Sequence, residues 1–209
     1  MSVIRRIISG MVVLVLAMGL GLTGCQQNLD LVTEGTLTVG SDCDYPPFIW
    51  MDGDKPVGFE VELMEAVAKD MGLKLVYLPP QNFDTLITAV QGGGKMDLAV
   101  SSVTINDERK ESVNFCIPYF DSNQAVVTTK TSSYTSVDNL AGKVVGAQTG
   151  TTGEAWAIEN IPGATVKGFN QTSEGLAALR AGAIEALFFD EPVASEQVNG
   201  AYSDCKIIQ

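Results

Sequence analysis

The sequence predicts an α/β fold made of two lobes. Short β-rich runs alternate with helical stretches from Thr36 onward, which is typical of parallel sheets covered by helices. The stretch 119–129 then passes from a turn-like segment into a long β-rich run without a helix. We interpret this stretch as a crossing between a first lobe, 34–122, and a second lobe, 123–209. The predicted strands are 36–41, 73–78, 96–101, 124–130, 143–147, 164–169, 184–189 and 205–209.

Three helices are predicted between these strands. Val61, Met64 and Ala68 recur at helical spacing, and Gly72 follows as a C-terminal stop. The charged residues of this helix, Glu60 among them, are expected to face solvent. A second helix follows the polar start at 172–173, and a third spans 84–91 before three consecutive glycines.

The first 24 residues predict a secretory signal peptide. Arg5 and Arg6 precede a short apolar stretch, and small residues precede Cys25. The run Leu22-Thr23-Gly24-Cys25 resembles a bacterial lipobox, in which Cys25 becomes the acylated first residue. Acylation would anchor the chain to the outer face of the cell membrane without spanning it, with 25–33 as a tether. The alternative is an ordinary signal peptide in which Cys25 occurs by chance.

Composition excludes several classes of function. Thirteen basic and 25 acidic residues give a net charge of −12, and no basic stripe is present to neutralise phosphates, so nucleic acid is not a predicted partner. The chain has no histidine, which excludes histidine-based triads and zinc sites of the H-E-x-x-H type. No C-x-x-C pair indicates a metal ribbon. We predict neither a metal nor a cofactor.

Three cysteines remain beyond the proposed lipid site: Cys43, Cys116 and Cys205. An oxidising exterior permits a disulfide, but an odd number leaves one thiol over and spacing does not identify the pair. Cys43 with Cys116 is the pairing we favour.

Polar residues cluster at the ends of predicted strands, where α/β proteins bind ligands. The first cluster, 101–109, begins with Ser101 and Ser102 and ends with Arg109. Thr104 and Asp107 have capping-box spacing, so we expect a helical turn that directs Arg109 back toward the serines.

A guanidinium beside hydroxyls and free amides is a carboxylate receptor. The alternative is that Arg109 is a solvated helix charge paired with Asp107 or Glu108.

Two further clusters follow later strands. In 146–154, Thr151 and Glu154 fit a capping box, and glycines would let an anion approach the helix N-terminus, although a plain β-to-α turn has the same pattern. No Gly-Lys-Ser/Thr follows, so it is not a Walker loop. In 188–192, Asp190 either pairs with a ligand ammonium or caps the helix that Pro192 helps to start.

Aromatic residues lie near these loops. Tyr45 and Phe83 could clasp the aliphatic part of a ligand, with Asp42 close by. Phe48 and Trp50 are assigned to the core.

Gly58-Phe59-Glu60-Val61-Glu62-Leu63, followed by Ala66-Val67-Ala68, closely resembles the signature of the bacterial extracellular solute-binding proteins for polar amino acids. The segments 42–48, 83–84, 101–109 and 150–152 match the ligand loops of that family in the same order. The resemblance covers 36–209 and implies a two-lobed periplasmic-binding-protein-like fold. Family members continue past the strand 205–209 and return to the first lobe. We therefore expect that this C-terminal return is missing and that the chain is a fragment.

The resemblance also implies residue roles. Arg109 would clamp an α-carboxylate with help from Thr104 and the amides of Ser102 and Thr152, and Asp190 with the Ser102 region would hold the α-ammonium. Tyr45 and Phe83 would sandwich the ligand side chain, and Asp42 would touch its polar end. The expected ligand-binding set is Asp42, Tyr45, Phe83, Ser101, Ser102, Thr104, Arg109, Thr151, Thr152 and Asp190.

The implied function is extracytoplasmic binding of an amino acid, with a cationic or polar amide side chain favoured, for delivery to an ABC transporter permease. Two alternatives use the same fold. One is an enzyme similar to periplasmic cyclohexadienyl dehydratases, with Asp190 or Asp42 as the acid. The other is a sensory or cell-wall module.

Overall fold

The computed structural model describes residues 29–208. The predicted signal peptide, the acylation at Cys25 and residues 25–28 of the predicted tether lie outside this range, as does Gln209. By Val32 the chain is already joined to the body, since its amide donates to Asp97 Oδ1 at 2.7 Å. Within the described range, no helix combines the length and apolarity that a membrane crossing requires.

The first lobe is built on a three-stranded parallel sheet. Its strands are β1 (Thr36–Gly40), β5 (Lys74–Tyr77) and β6 (Leu98–Ala99), in the order β5-β1-β6. The predicted strands at these places are confirmed, although β6 is shorter than expected. Because the strands are parallel, their carboxyl ends lie at the same edge of the sheet, and the polar loops predicted to bind a ligand follow them there.

Helix α1 (Phe59–Met71) packs on this sheet as predicted. Val61, Met64 and Ala68 are buried at helical spacing, and Gly72 ends the helix in the left-handed conformation at φ +68°. One expectation was wrong: Glu60 is fully buried rather than solvated. It stands in the first turn, where it faces a neighbouring loop instead of water.

The remaining elements of the first lobe include one small sheet that the sequence did not indicate. Strands β2 (Asp44–Tyr45), β3 (Ile49–Asp52) and β4 (Lys55–Val57) form an antiparallel meander. Prolines interrupt these runs, so their β character is masked. Phe48 is buried as expected, whereas Trp50 is half-buried. The helices are a 3-10 turn (Phe83–Thr85), α2 (Leu86–Gly92) and α3 (Asp107–Lys110).

The second lobe contains a five-stranded sheet. Its strands are β7 (Gln124–Thr129), β8 (Val144–Gln148), β9 (Thr165–Phe169), β10 (Ala186–Asp190) and β11 (Cys205–Ile208). Their order in the sheet is β11-β7-β10-β8-β9. The expected strands are confirmed, but the sheet is mixed rather than parallel. Strand β7 runs antiparallel to β10 and β11 because it arrives from the first lobe without a crossover helix.

Helices cover both faces of the second sheet. They are α4 (Thr152–Asn160), α5 (Thr172–Arg180) and α6 (Glu191–Asn199), and a 3-10 helix (Val137–Leu140) precedes β8. Alternate residues of β10 serve the two faces: Ala186 and Phe188 pack with the α4 side, and Leu187 and Phe189 with the α5 side. This two-sided burial explains the continuous apolar run of β10.

Between the lobes, residues 111–123 form a crossing segment with no helix or strand. Cys116 is exposed in this segment, whereas Cys43 and Cys205 are buried, and none of the three is in a disulfide. The favoured Cys43–Cys116 pair is therefore wrong. Cys43 lies in the turn after β1 and packs in the core.

Candidate functional site

A cleft lies where loops at the strand ends of both lobes meet. Its walls are almost entirely polar or aromatic side chains. All ten residues of the predicted ligand-binding set line it, together with five that were not predicted to have this role. The lining residues are Asp42, Tyr45, Phe83, Ser101, Ser102, Thr104, Arg109, Gln124, Gln148, Thr151, Thr152, Thr172, Phe188, Phe189 and Asp190.

Arg109 enters the cleft from the short helix α3. The expected Thr104–Asp107 capping box is wrong, since Asn106 is the N-cap and its Oδ1 accepts from the Arg109 amide at 2.8 Å. The helical turn nevertheless brings Arg109 into the cleft that Ser101 and Ser102 also line, although its hydrogen bonds go to other residues. Its Nη1 donates to the Thr104 carbonyl at 2.8 Å, and its Nη2 donates across the cleft to the Gly150 carbonyl at 2.9 Å.

The alternative that Arg109 is a solvated helix charge does not fit this geometry. The side chain is buried, with a relative exposure of 9%. Asp107 pairs with Lys110 instead, at 3.0 Å. The guanidinium carbon lies 5.7 Å from the centre of the Phe83 ring, a cation–π arrangement. Burial lowers the pKa of Arg109, and the charges of Glu108 and Asp190 oppose that shift, so the group remains a cation.

The N-terminus of α4 forms the facing wall in the second lobe. Thr151 is its N-cap and accepts from the Glu154 amide at 3.2 Å, as predicted. The Glu154 carboxylate returns to the Gly150 amide at 2.7 Å, one residue earlier than in a standard capping box. The Thr152 hydroxyl lies 3.5 Å from that of Thr104 in the first lobe. Thr152 therefore presents the first turn of a helix, where amides lack intrahelical acceptors, to the side of the cleft that holds Arg109.

Asp190 ends β10 and is the N-cap residue of α6, but its side chain does not cap the helix. One carboxylate oxygen accepts from the Tyr45 hydroxyl at 2.9 Å, and the other accepts from Gln124 Nε2. The Tyr45 hydroxyl in turn accepts from the Asp190 amide at 2.9 Å. Burial raises the pKa of Asp190, while the hydrogen bonds from Tyr45 and Gln124 and the charge of Arg109 act to lower it. Asp190 thus faces the cleft as a carboxylate fixed from both lobes.

Asp42 lies at the inner end of the cleft and is only 3% exposed. The Ser101 hydroxyl donates to one of its oxygens. Gln148 Nε2, from the second lobe, donates to the other at 2.9 Å and also donates to the Asn170 carbonyl at 2.9 Å. Both partners of Asp42 are uncharged, so its negative charge has no cation in contact among the described residues.

Ser102 differs from its expected role. Its amide and hydroxyl both donate to Glu60 Oε1, at 2.7 and 2.8 Å. The Ser102 amide is therefore engaged by Glu60 and is not a free donor toward the cleft. The residue still lines the cleft, with its backbone in the left-handed region at φ +50°.

Sequence reasoning missed the contributions of Gln124, Gln148, Thr172, Phe188 and Phe189. Gln148 lies within the predicted cluster 146–154 but was given no role there, so its place at a strand end was a usable signal. Thr172 was seen only as a helix start, and its hydroxyl contacts Gln148 Oε1 at 3.4 Å. Gln124 begins β7 beside the crossing, a position that only the folded arrangement reveals. Within residues 29–208, no group of three or more acidic or cysteine side chains could hold a metal ion.

Comparison with known proteins gives concordant results. A family model for bacterial extracellular solute-binding proteins, family 3, matches residues 37–195. The L-cystine-binding protein TcyJ of Escherichia coli K12 is 32% identical over 200 residues, which cover 93% of this chain and 74% of that protein. The ABC transporter arginine-binding protein 1 of the same organism is 29% identical over 161 residues, covering 77% and 65%.

One solved structure bears on the enzymatic alternative. The ancestral amino acid-binding protein AncCDT-1, described as a precursor of cyclohexadienyl dehydratase, superposes with a TM-score of 0.77 at 34% identity. The match covers 84% of this chain and 77% of that one.

Proposed function

Because the chain belongs to the bacterial extracellular solute-binding proteins, family 3, and its relatives bind amino acids for ABC transporters, we propose that its cleft binds an amino acid with a cationic or polar amide side chain. Arg109 and Asp190 carry this proposal. They are opposite charges that reach one cleft from different lobes, as the two ends of an α-amino acid require.

Arg109 is the receptor for the α-carboxylate. Its guanidinium is buried and anchored on two backbone carbonyls, so it is held in place before a ligand arrives. The amide of Thr152 at the α4 N-terminus and the hydroxyl of Thr104 complete the anion site, because a helix N-terminus favours negative charge.

Asp190 is the receptor for the α-ammonium. Tyr45 and Gln124 orient its carboxylate, and each oxygen retains capacity for a further hydrogen bond. Because Tyr45 belongs to the first lobe and Asp190 to the second, their hydrogen bonds also stabilise the approach of the lobes. Ligand binding is therefore coupled to lobe closure.

Tyr45 and Phe83 enclose the ligand side chain, and Asp42 lies at its far end. Arg109 and Asp190 balance the two charges of the amino-acid head group, which leaves the buried charge of Asp42 over. A cation, or the donor amide of a neutral side chain, at that end would compensate it. This surplus of negative charge is what favours cationic or amide-bearing amino acids.

Binding without catalysis is part of the proposal. The chain has no histidine, and no cysteine lines the cleft. Incubation of the purified protein with a cyclohexadienyl substrate tests this directly. Formation of phenylpyruvate that Asp190→Asn abolishes would support the enzymatic alternative instead.

Lipid anchoring at Cys25 and delivery to a permease complete the proposal. The lipobox-like run 22–25 supports acylation. Metabolic labelling with a radioactive fatty acid should mark the wild-type chain in a bacterial host and should not mark Cys25→Ala. Label on both proteins, or on neither, would contradict the anchor.

Thermal-shift screening of the twenty amino acids and L-cystine tests the binding function. A ligand at 100 times its Kd stabilises the folded state by about 2.7 kcal/mol, which is a clear rise in melting temperature. We expect the largest shifts from arginine, lysine, glutamine or cystine. A cooperative melt that no compound moves would contradict the proposal.

A further inference from the structure

Glu60 is a buried acidic residue that has no direct role in the proposed ligand site. We call the proposed ligand-binding groups the cage: Asp42, Tyr45, Phe83, Thr104, Arg109, Thr152 and Asp190. Glu60 is 0% exposed, and within residues 29–208 no lysine or arginine lies within 4.0 Å of it. Burial raises the pKa of its carboxyl, and hydrogen bonds from Tyr119 and Ser102 act in the opposite direction. A buried carboxylate without a basic partner is costly to fold around. The side chain caps no amide of helix α1.

The contacts of Glu60 join two separate segments. Its Oε1 accepts from the amide of Ser102 at 2.7 Å, from the Ser102 hydroxyl at 2.8 Å and from the hydroxyl of Tyr119. Ser102 lines the cleft, and Tyr119 belongs to the crossing segment. A single oxygen atom therefore ties the ligand loop to the chain that connects the lobes.

Ser102 requires such a restraint. Its φ of +50° places a residue with a Cβ in the left-handed region, which is disfavoured without compensating contacts. Two residues later, the Thr104 carbonyl accepts from Arg109 Nη1 at 2.8 Å. The conformation held at Ser102 thus sets where the Thr104 carbonyl lies, and that carbonyl positions the guanidinium.

Tyr119 transmits the restraint to the other side of the cleft. The crossing segment that follows it ends at Asn123, whose carbonyl accepts from the Glu191 amide at 2.8 Å. The next residue, Gln124, donates to Asp190. Glu60 is therefore connected through short stretches of chain to both charged groups of the proposed cage.

The far side of the Glu60 carboxylate is not satisfied. Glu60 Oε2 and the nearby Tyr77 hydroxyl are both buried without a hydrogen-bond partner among the described residues. Burial is the main cause that raises the pKa of Tyr77, and the negative charge of Glu60 raises it further. Taking a charge out of water costs free energy that the bonds to Oε1 offset only in part, so a structural role alone does not account for an acidic group at this place.

We propose that Glu60 is a positioning residue for ligand binding, which holds Ser102 and Tyr119 so that Arg109 and Asp190 face each other across the cleft. This inference rests on the proposed amino-acid-binding function. Replacing Glu60 should therefore change ligand affinity by altering the arrangement of the cage, and not only by changing the stability of the fold.

The test compares Glu60→Ala and Glu60→Gln with the wild type. The matched control is Glu62→Ala, which removes an exposed charge from the same turn of α1. Calorimetric titration with L-arginine, L-glutamine and L-cystine should show affinity reduced about tenfold or more in Glu60→Ala, the scale of one lost hydrogen bond to a charged group. Glu60→Gln keeps an acceptor for Ser102 and should remain within roughly threefold. Affinity unchanged in Glu60→Ala would overturn the inference.

Tyr119→Phe provides a variant that is expected to fold. It removes one donor to Glu60 and should weaken ligand binding with little change in melting temperature. If the bond were purely structural, the melting temperature would fall and the affinity would not change.

Hydrogen exchange in the ligand-free protein separates this inference from the proposed function. Glu60→Ala should speed exchange in 101–106 and 117–123 but not in β8 and β9. A wild-type chain that binds none of the three compounds would refute the proposed function, and unchanged exchange at Ser102 would refute the role of Glu60.

Discussion

Replacing Arg109 with methionine removes the charge that the proposed cage depends on while keeping a long unbranched side chain. Arg109 is 9% exposed, and its guanidinium donates to two carbonyls, at 2.8 and 2.9 Å. A ligand carboxylate placed there would lose a buried, charge-assisted partner. Such a loss costs about 2 to 5 kcal/mol, which corresponds to a Kd raised from about thirtyfold to several thousandfold.

Isothermal titration calorimetry with the amino acid that gives the largest thermal shift measures this change. Lys110→Met is the matched control, because Lys110 is the exposed neighbour that pairs with Asp107 at 3.0 Å. The control should bind like the wild type. An Arg109→Met variant that melts cooperatively and binds within about threefold of the wild type would refute the assignment, since even the low end of the expected loss is larger.

Three further predictions concern closure, specificity and pH. In Gly150→Ala the new Cβ would lie 2.9 Å from Asp84 Cβ across the cleft, so affinity should fall; Gly142→Ala shares the positive φ but meets no atom within 4 Å, and should bind normally in the same titration. Asp42→Asn should weaken L-arginine by about tenfold or more and L-glutamine less, measured by competition, because only the cation needs the charge. Equal losses would contradict the role of Asp42. Burial raises the pKa of Asp190, so acidification should protonate it earlier than an ordinary aspartate and weaken binding. The folded free protein holds that proton more tightly than the unfolded chain, so this group adds stability as the pH falls through its raised folded-state pKa and loses it as the pH rises. Affinity and melting temperature should thus move in opposite directions for this group, and Asp190→Asn should flatten both differences.

The positions of the strands and of α1 were predictable because burial produces apolar patterns in the local sequence. β7 and β10 read as apolar runs because both of their faces are covered, and α1 shows its buried face at Val61, Met64 and Ala68. No local sequence pattern shows whether a strand runs parallel or antiparallel to its neighbour. The antiparallel placement of β7 follows from the path of the crossing segment, which no periodicity encodes.

The site was predictable in its membership but less so in its contacts. Strand-end loops converge in α/β folds, so Ser101, Arg109, Thr152 and Asp190 meet as expected. Which of two polar residues caps a short helix depends on backbone angles, and Asn106 rather than Thr104 takes that place. Glu60 was expected to be solvated because it is charged, although it lies four and eight residues before the buried Met64 and Ala68 on the same helix face.

The remaining elements had weak or misleading signals. The meander β2–β4 was missed because Pro46, Pro47 and Pro56 break its runs. Gln148 gave no charge pattern to follow, and its bond to Asp42 exists only because the two lobes meet.

The most direct test of head-group recognition compares one amino acid with its own α-carboxamide, for example L-arginine with L-argininamide. Both are titrated calorimetrically into the wild-type protein. The amide keeps the ammonium and the side chain but removes the carboxylate that Arg109 is proposed to hold. We predict binding of the amino acid and a loss of about thirtyfold or more for its amide. Equal affinity for the two compounds would contradict the central claim that the cleft recognises the amino-acid head group.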